Sequence, residues 1–267
     1  MKNVGAPRSS RTPRSSRVIT LLTDFGTGDS YVAEVKGVLL SGAPGATLID
    51  VTHETTPGDI RSAAYILGRT WHRFPRGTIH LVVVDPGVGT TRAALALSVH
   101  GHRFVGPDNG VFTPLLHDAE VEAVALEVPA GASRTFHGRD LFAPAAAALA
   151  TGAALTTLGQ KFTGIPQRLA YTPPHRENGA LVGEVVYVDR FGSLITNLTA
   201  DLVPLHAKVE IDELEIGPLQ QTYNDVATGS LLAYVGSGGV VEIAVRDGSA
   251  ARRLGVGMGG RVRARPD

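Results

Sequence analysis

The feature that most constrains this chain is a mainly apolar run of five or six residues that ends on an aspartate and occurs twice with helical spacing in between. Residues 18–22 run into Thr23-Asp24-Phe25-Gly26, and residues 79–84 run into Asp85. Between them Tyr31, Val35, Val38 and Leu39 recur at helical spacing behind a candidate cap at Asp29 or Ser30, and residues 46–51 read as another strand. Ile60, Ala63, Ala64, Leu67 and Trp71 mark a second helical face. Strands that are apolar throughout and alternate with helices imply a largely parallel sheet covered on both faces. In such sheets ligands collect beyond the carboxyl ends of the strands, which predicts that Asp24 and Asp85 share one edge.

Strand-like runs at 94–99 and 121–128 and an Ala-rich helix near 140–150 extend this pattern into an α/β N-terminal domain over 18–167. Residues 168–179, broken by Pro173 and Pro174, have the composition of a linker. Beyond them helical periodicity stops, and short strand candidates at 182–188, 194–198, 209–211, 231–235, 240–245 and 261–263 predict a smaller, mostly β C-terminal domain over 180–267.

Charge and composition exclude several classes. Of 25 basic residues, Lys2, Arg8, Arg11, Arg14 and Arg17 precede Val18 while no acidic residue does, leaving 20 basic against 25 acidic in the body. Residues 1–17 therefore read as a disordered basic leader, and the mildly acidic body does not suit nucleic acid. The absence of cysteine removes thiolate metal sites and cysteine nucleophiles. No apolar run reaches the roughly 18 to 20 residues that span a bilayer, so no membrane partner and a cytoplasmic location are expected.

Individual motifs have plain readings. Asp24-Phe25-Gly26 lacks the companion loops of a kinase, residues 86–91 lack the Gly-Lys pair of a phosphate loop, and the glycines at 255, 257, 259 and 260 precede no helix. His100-Gly101-His102 reads as a hairpin turn rather than a metal site. Singly, Asp85 suits a strand-end cap, Arg92 a surface ion pair and His137 a satisfied, partly buried histidine.

In order along the chain, however, residues 23–26 (TDFG), 85–92 (DPGVGTTR), 106–110 (GPDNG) and 136–140 (FHGRD), followed by 189–193 (DRFGS) and Ser237-Gly238, resemble the S-adenosyl-L-methionine (SAM) hydroxide adenosyltransferase family. Its relatives include fluorinating and chlorinating enzymes that attack the same substrate. The resemblance covers nearly everything from Val18 to about Gly255. It implies hydrolysis of SAM to adenosine and methionine with no metal and no cofactor, SAM being the substrate, in a homotrimer whose active sites lie between subunits. It also implies that Asp85, Arg92 and His137 hold and activate the attacking water and that Asp24 binds the ribose diol. Asp189, Ser193 and Ser237 would hold the methionine end, with Glu242 to Val245 beside the adenine. Which of Asp85 and His137 is the base stays open.

Two positions depart from the family pattern: Gly58, where relatives commonly place an aromatic, and Ser193, where an asparagine is usual. They keep a non-catalytic SAM or adenosine sensor as an alternative. A halide transferase is a second alternative, against which a carboxylate at Asp85 would repel the anion.

Overall fold

In the computed structural model, which describes residues 18–117, 119–204 and 206–266, the chain forms two sheets. The reading of residues 1–17 as a disordered leader lies outside the described residues. The first sheet takes β1 (Val18–Thr23), β2 (Thr47–Thr52), β3 (Ile79–Val83), β4 (Ala94–Val99), β5 (His102–Pro107), β6 (Glu122–Leu126) and β7 (Gly159–Lys161), in the order β2-β1-β3-β5-β4-β6-β7. Helices α1 (Tyr31–Gly42), α2 (Ile60–Thr70) and α3 (Ala143–Thr151) cover it.

Alternation along the strands sorts their side chains onto two faces. Ile19, Leu21, Ile79, Leu81 and Val83 join Val35 and Leu39 of α1 and the alanines of α3 in one core. Leu22, Val82 and Val84 face the opposite way and pack with Ala63 and Leu67 of α2. β1 and β3 are thus buried on both sides, which is why they read as continuous apolar runs.

The sheet is mixed, not largely parallel. β2-β1-β3-β5 run parallel, but β5-β4, β4-β6 and β6-β7 pair antiparallel. The reason is local: Val99 pairs with His102, so only His100 and Gly101 connect β4 to β5, both at positive φ (53° and 80°). A parallel crossover needs a dozen or more residues, and two residues in this conformation make a hairpin.

The second sheet comprises β8 (His175–Glu177), β9 (Ala180–Val188), β10 (Leu194–Thr199), β11 (Lys208–Ile211), β12 (Leu214–Gln220), β13 (Leu231–Val235), β14 (Val240–Val245) and β15 (Arg261–Arg265). Its order is β10-β14-β13-β12-β11-β15-β9-β8, and an additional β10–β9 pairing closes it into a barrel. A short helix, α4 (Ala250–Leu254), precedes β15 and seats Ala250 in the barrel core. The stretch read as a linker is anchored at one end and structured at the other: Leu169 N donates to Thr113 Oγ1 (2.8 Å), Arg168 donates to Leu116 O (2.6 Å), and residues 175–177 form β8. Across the two sheets, Tyr65 of α2 stacks on Tyr187 of β9 with ring centroids 4.5 Å apart.

Candidate active site

Asp24 and Asp85 do share an edge. β1 and β3 are adjacent and parallel, so the residues that follow them leave the sheet side by side. Asp24 Oδ2 accepts the Gly58 N–H at 2.8 Å, an approach made by a residue at φ +75°. Burial raises the Asp24 pKa, partly offset by that N–H, and the nearby Asp85 charge adds to the rise.

Asp85 is positioned from behind. Asn109 Nδ2 donates to the Val84 carbonyl (2.9 Å) while its Oδ1 accepts the Val111 N–H (3.2 Å). The neighbouring Asp108 accepts the Gln167 N–H at 2.7 Å. The 106–110 motif is thus a brace for the end of β3. Arg92 grips the Asp85 carboxylate through Nε (3.0 and 3.1 Å to the two oxygens) and through a close Nη2 contact to Oδ2. The pair is largely removed from solvent, the side chains being 9% (Arg92) and 5% (Asp85) exposed. A fork donating to both carboxylate oxygens fixes orientation as well as charge.

Arg92 also reaches His137, its Nη2 lying 3.0 Å from Nδ1. A guanidinium can only donate, so Nδ1 must accept and the ring proton sits on Nε2. Burial lowers the His137 pKa and the Arg92 charge lowers it further, against smaller opposing pulls from Asp85 and Asp140, which accords with an Nδ1 that accepts. The loop carrying it is closed by Asp140, which accepts the Ser133 N–H (2.8 Å) and pairs with Arg139 (2.7 Å). Arg139 in turn reaches Glu34 of α1 at 2.8 Å. Gly138 opens a π-helical turn that leads into α3, and a Cβ there would lie 3.1 Å from the Phe25 ring.

Asp24, Asp85 and His137 line one cavity of about 370 Å³, walled by Phe25, Phe136 and Gly58 among others. That volume lies at the low end for small-molecule sites. It joins an acidic acceptor, a neutral imidazole N–H and a second carboxylate able to take hydroxyl protons. Among the described residues no group of three His, Asp or Glu side chains is placed to hold a metal ion. Phe25, Phe136 and the Gly58 amide were not assigned a role in the sequence. The aromatics occur inside quoted motifs, so the signal was there for them, whereas a backbone N–H carries none.

The C-terminal candidates do not line this cavity within one chain. Asp189 Oδ1 accepts the N–H groups of Phe191 (3.0 Å) and Ser193 (2.8 Å), so one oxygen organises its own turn. Ser193 and Val245 line a separate cavity of about 640 Å³ together with Phe191, Tyr223 and Arg252. Phe191 is 77% exposed there. Glu242 accepts the Tyr234 hydroxyl proton (2.6 Å), and Ser237 Oγ takes Arg69 Nη2 of α2 at 3.4 Å.

Comparison with known proteins identifies what the chain is similar to. Residues 19–159 match the SAM hydroxide adenosyltransferase N-terminal domain and residues 183–263 the C-terminal domain. The (R)-S-adenosyl-L-methionine hydrolase of Thermus thermophilus is 42% identical over 260 residues, covering 92% of this chain and 99% of that protein. A fluorinase of an Actinoplanes species is 28% identical over 212 residues, covering 68% of this chain and 71% of that one. The crystal structure of an uncharacterized conserved protein from Thermotoga maritima superposes with a TM-score of 0.85 at 37% identity, over 93% of this chain and all (100%) of that chain.

Proposed function

The chain belongs to the SAM hydroxide adenosyltransferase family, and we propose that it hydrolyses SAM to adenosine and L-methionine by in-line attack of water on C5′ of the ribose. The observation that carries the reading is Asp85, tied to Arg92 and through it to His137, in one cavity with Asp24.

The chemistry needs little from the protein on the leaving side. The C5′–S bond breaks with its electron pair going to a sulfonium, which departs as a neutral thioether, so neither an acid nor a metal is assigned to that step. The difficulty is to hold one water in line with the bond and remove its proton as the O–C5′ bond forms. With Nδ1 occupied by Arg92, His137 has no free lone pair on the ring. It is therefore a donor to the water oxygen through Nε2–H, and Asp85 is the proton acceptor. Arg92 faces both, orienting the carboxylate and offsetting charge as hydroxide character develops. Asp24 accepts hydrogen bonds from both hydroxyls of the ribose diol, fixing the sugar with one side chain.

The C-terminal residues complete the site from a neighbouring copy. Ser193, Ser237, Glu242 and Val245 stand outside the cavity of their own chain, and Phe191 is exposed beside Ser193. A homotrimer with sites between subunits brings the Asp189 turn and this exposed ring over the neighbour's cavity to take the methionine and adenine ends. A carboxylate at Asp85 disfavours a halide as nucleophile, which separates this reading from that of the fluorinase relative.

The test is incubation of the protein with SAM in chloride and chloride-free buffers with EDTA, and separation of nucleosides by liquid chromatography with mass detection. Equal adenosine and methionine, independent of both additions, is expected. A 5′-chloro product would move the chain to halide transfer, and retained ligand without product would make it a sensor.

A further inference from the structure

One buried titratable group near the cavity has no part in this chemistry. His53, 4% exposed, follows β2, and its Nδ1 lies 2.8 Å from Thr23 Oγ1. Its Nε2 lies 3.1 Å from Asp50 Oδ1, close enough to pair though not aligned as a hydrogen bond, and Asp50 Oδ2 takes Lys36 Nζ at 2.7 Å. Thr23 Oγ1 accepts the Phe25 N–H at 3.3 Å, and the His53 carbonyl accepts the Gly26 N–H at 2.7 Å.

The polarity of this chain is fixed by its ends. An ionised Asp50 only accepts, which draws the ring proton to Nε2 and leaves Nδ1 to accept from the Thr23 hydroxyl. The threonine's lone pairs are then free for the Phe25 N–H. His53 thereby holds the turn on both sides of Asp24: through Thr23 and Phe25 by its ring, and at Gly26 by its backbone. Five residues on, the Gly58 N–H grips the Asp24 carboxylate itself.

We infer that His53 is a positioning residue, which acts through the Thr23 hydroxyl to hold the 23–26 turn so that the Asp24 carboxylate meets the ribose diol. The inference rests on the reading of Asp24 as the diol's ligand. It assigns the segment 53–58 the task of setting discrimination between a ribose and a sugar without its hydroxyls.

Calorimetric Kd values for adenosine and 2′,3′-dideoxyadenosine, measured on the full chain and on Thr23→Val and Thr23→Ser, test it. The unsubstituted protein is expected to prefer adenosine by about tenfold or more, since hydrogen bonds to a charged group are at stake. Thr23→Val keeps the shape and removes the hydroxyl, and should shrink that ratio roughly tenfold by weakening adenosine alone. Thr23→Ser should retain the ratio. Absence of any preference in the unsubstituted protein would overturn the reading of Asp24 itself. A preference that survives Thr23→Val, or equal weakening of both nucleosides, would overturn the role of His53 while leaving Asp24 in place. If Thr23→Val does not fold, His53→Asn and His53→Leu read the same ratio: the asparagine oxygen stands near the Nδ1 position and should keep it, and leucine should lose it. Identical ratios in those two would overturn the inference.

Discussion

Replacing Asp85 by asparagine and His137 by glutamine separates the two roles that the Arg92 geometry assigns. In Asp85→Asn the proton acceptor is gone, and loss of a positioned general base lowers turnover by about 10²- to 10⁴-fold. The same change strips Arg92 of its counter-charge in a setting where its side chain is only 9% exposed. Breaking such a pair from one side costs about 3 to 5 kcal/mol, and we take about 3 because the amide oxygen still accepts one bond. For a protein of this size that is a fall in Tm of about 6–12 °C. In His137→Gln the side-chain oxygen can still accept from Arg92 and the amide can still donate to water, so one imperfect hydrogen bond is lost and turnover drops about tenfold. Both substitutions should leave KM for SAM within a few-fold, since the affected groups meet the nucleophile. Single-turnover adenosine formation, followed at a temperature below both transitions, measures this. If His137→Gln falls as far as Asp85→Asn, or Asp85→Asn keeps more than a tenth of the rate, the assignment of the base to Asp85 is refuted.

Other consequences follow from the same geometry. Burial raises the Asp24 pKa, so the ionised form opposes folding and its stabilising neutral form is lost as pH rises through the folded pKa; Asp24→Asn should therefore raise Tm at neutral pH while adenosine binding, read by calorimetry, falls. A lower Tm in that variant would show that the carboxylate supports the fold. Burial, with His102 adding to it, lowers His80 from 6.5 to about 3, so the folded protein refuses a proton that the unfolded chain accepts. Stability should be full above pH 6.5 and decline as pH falls toward 3, by on the order of 4 kcal/mol in total. Urea titrations between pH 7 and 4 should show that slope flattened in His80→Gln, and an unchanged slope would exclude His80 as its source. Mixing Asp85→Asn protein with Phe191→Ala protein should restore activity to part of the population if sites lie between subunits, and the absence of any gain after dissociation and reassembly would count against the trimer.

The chain announced the carboxyl ends of β1 and β3 because buried parallel strands are apolar throughout and their ends are the first places where an aspartate is tolerated. It announced the barrel strands for the weaker reason of alternation between turns. Four strands carry no readable apolar run: β7 and β8 are three residues each, and the longer β5 and β12 are interrupted. β5 opens with His102 and Arg103 and closes with Gly106 and Pro107, so only two apolar residues mark it, while β12 carries Gly217 and Pro218 in its middle. The hairpin turn at His100-Gly101 was legible, but without β5 as its second arm it did not show that half of the first sheet runs antiparallel. At the site, Asp85, Arg92 and His137 were legible as motif letters, but the order in which they bond was not: that Arg92 occupies His137 Nδ1 is a matter of 3 Å geometry across residues far apart in sequence. Gly58 read as the loss of an aromatic wall, and the structure adds a backbone donor to Asp24 at the same place. Backbone groups leave no letter in a sequence.

The pairing of β1 with β3 carries a consequence for how the protein is made. The β4–β5 hairpin joins neighbours in sequence and can close at once, whereas Thr20 and His80, which bond across β1 and β3, are 60 residues apart. Closing so long a loop is the slow and entropically costly part of assembling this sheet. Asp24 and Asp85 stand at the ends of those two strands, so the cavity exists only once this long-range strand pairing has formed. A nucleoside seated between them would in turn hold that contact shut, and slowed amide exchange in β1 on adding adenosine should report it.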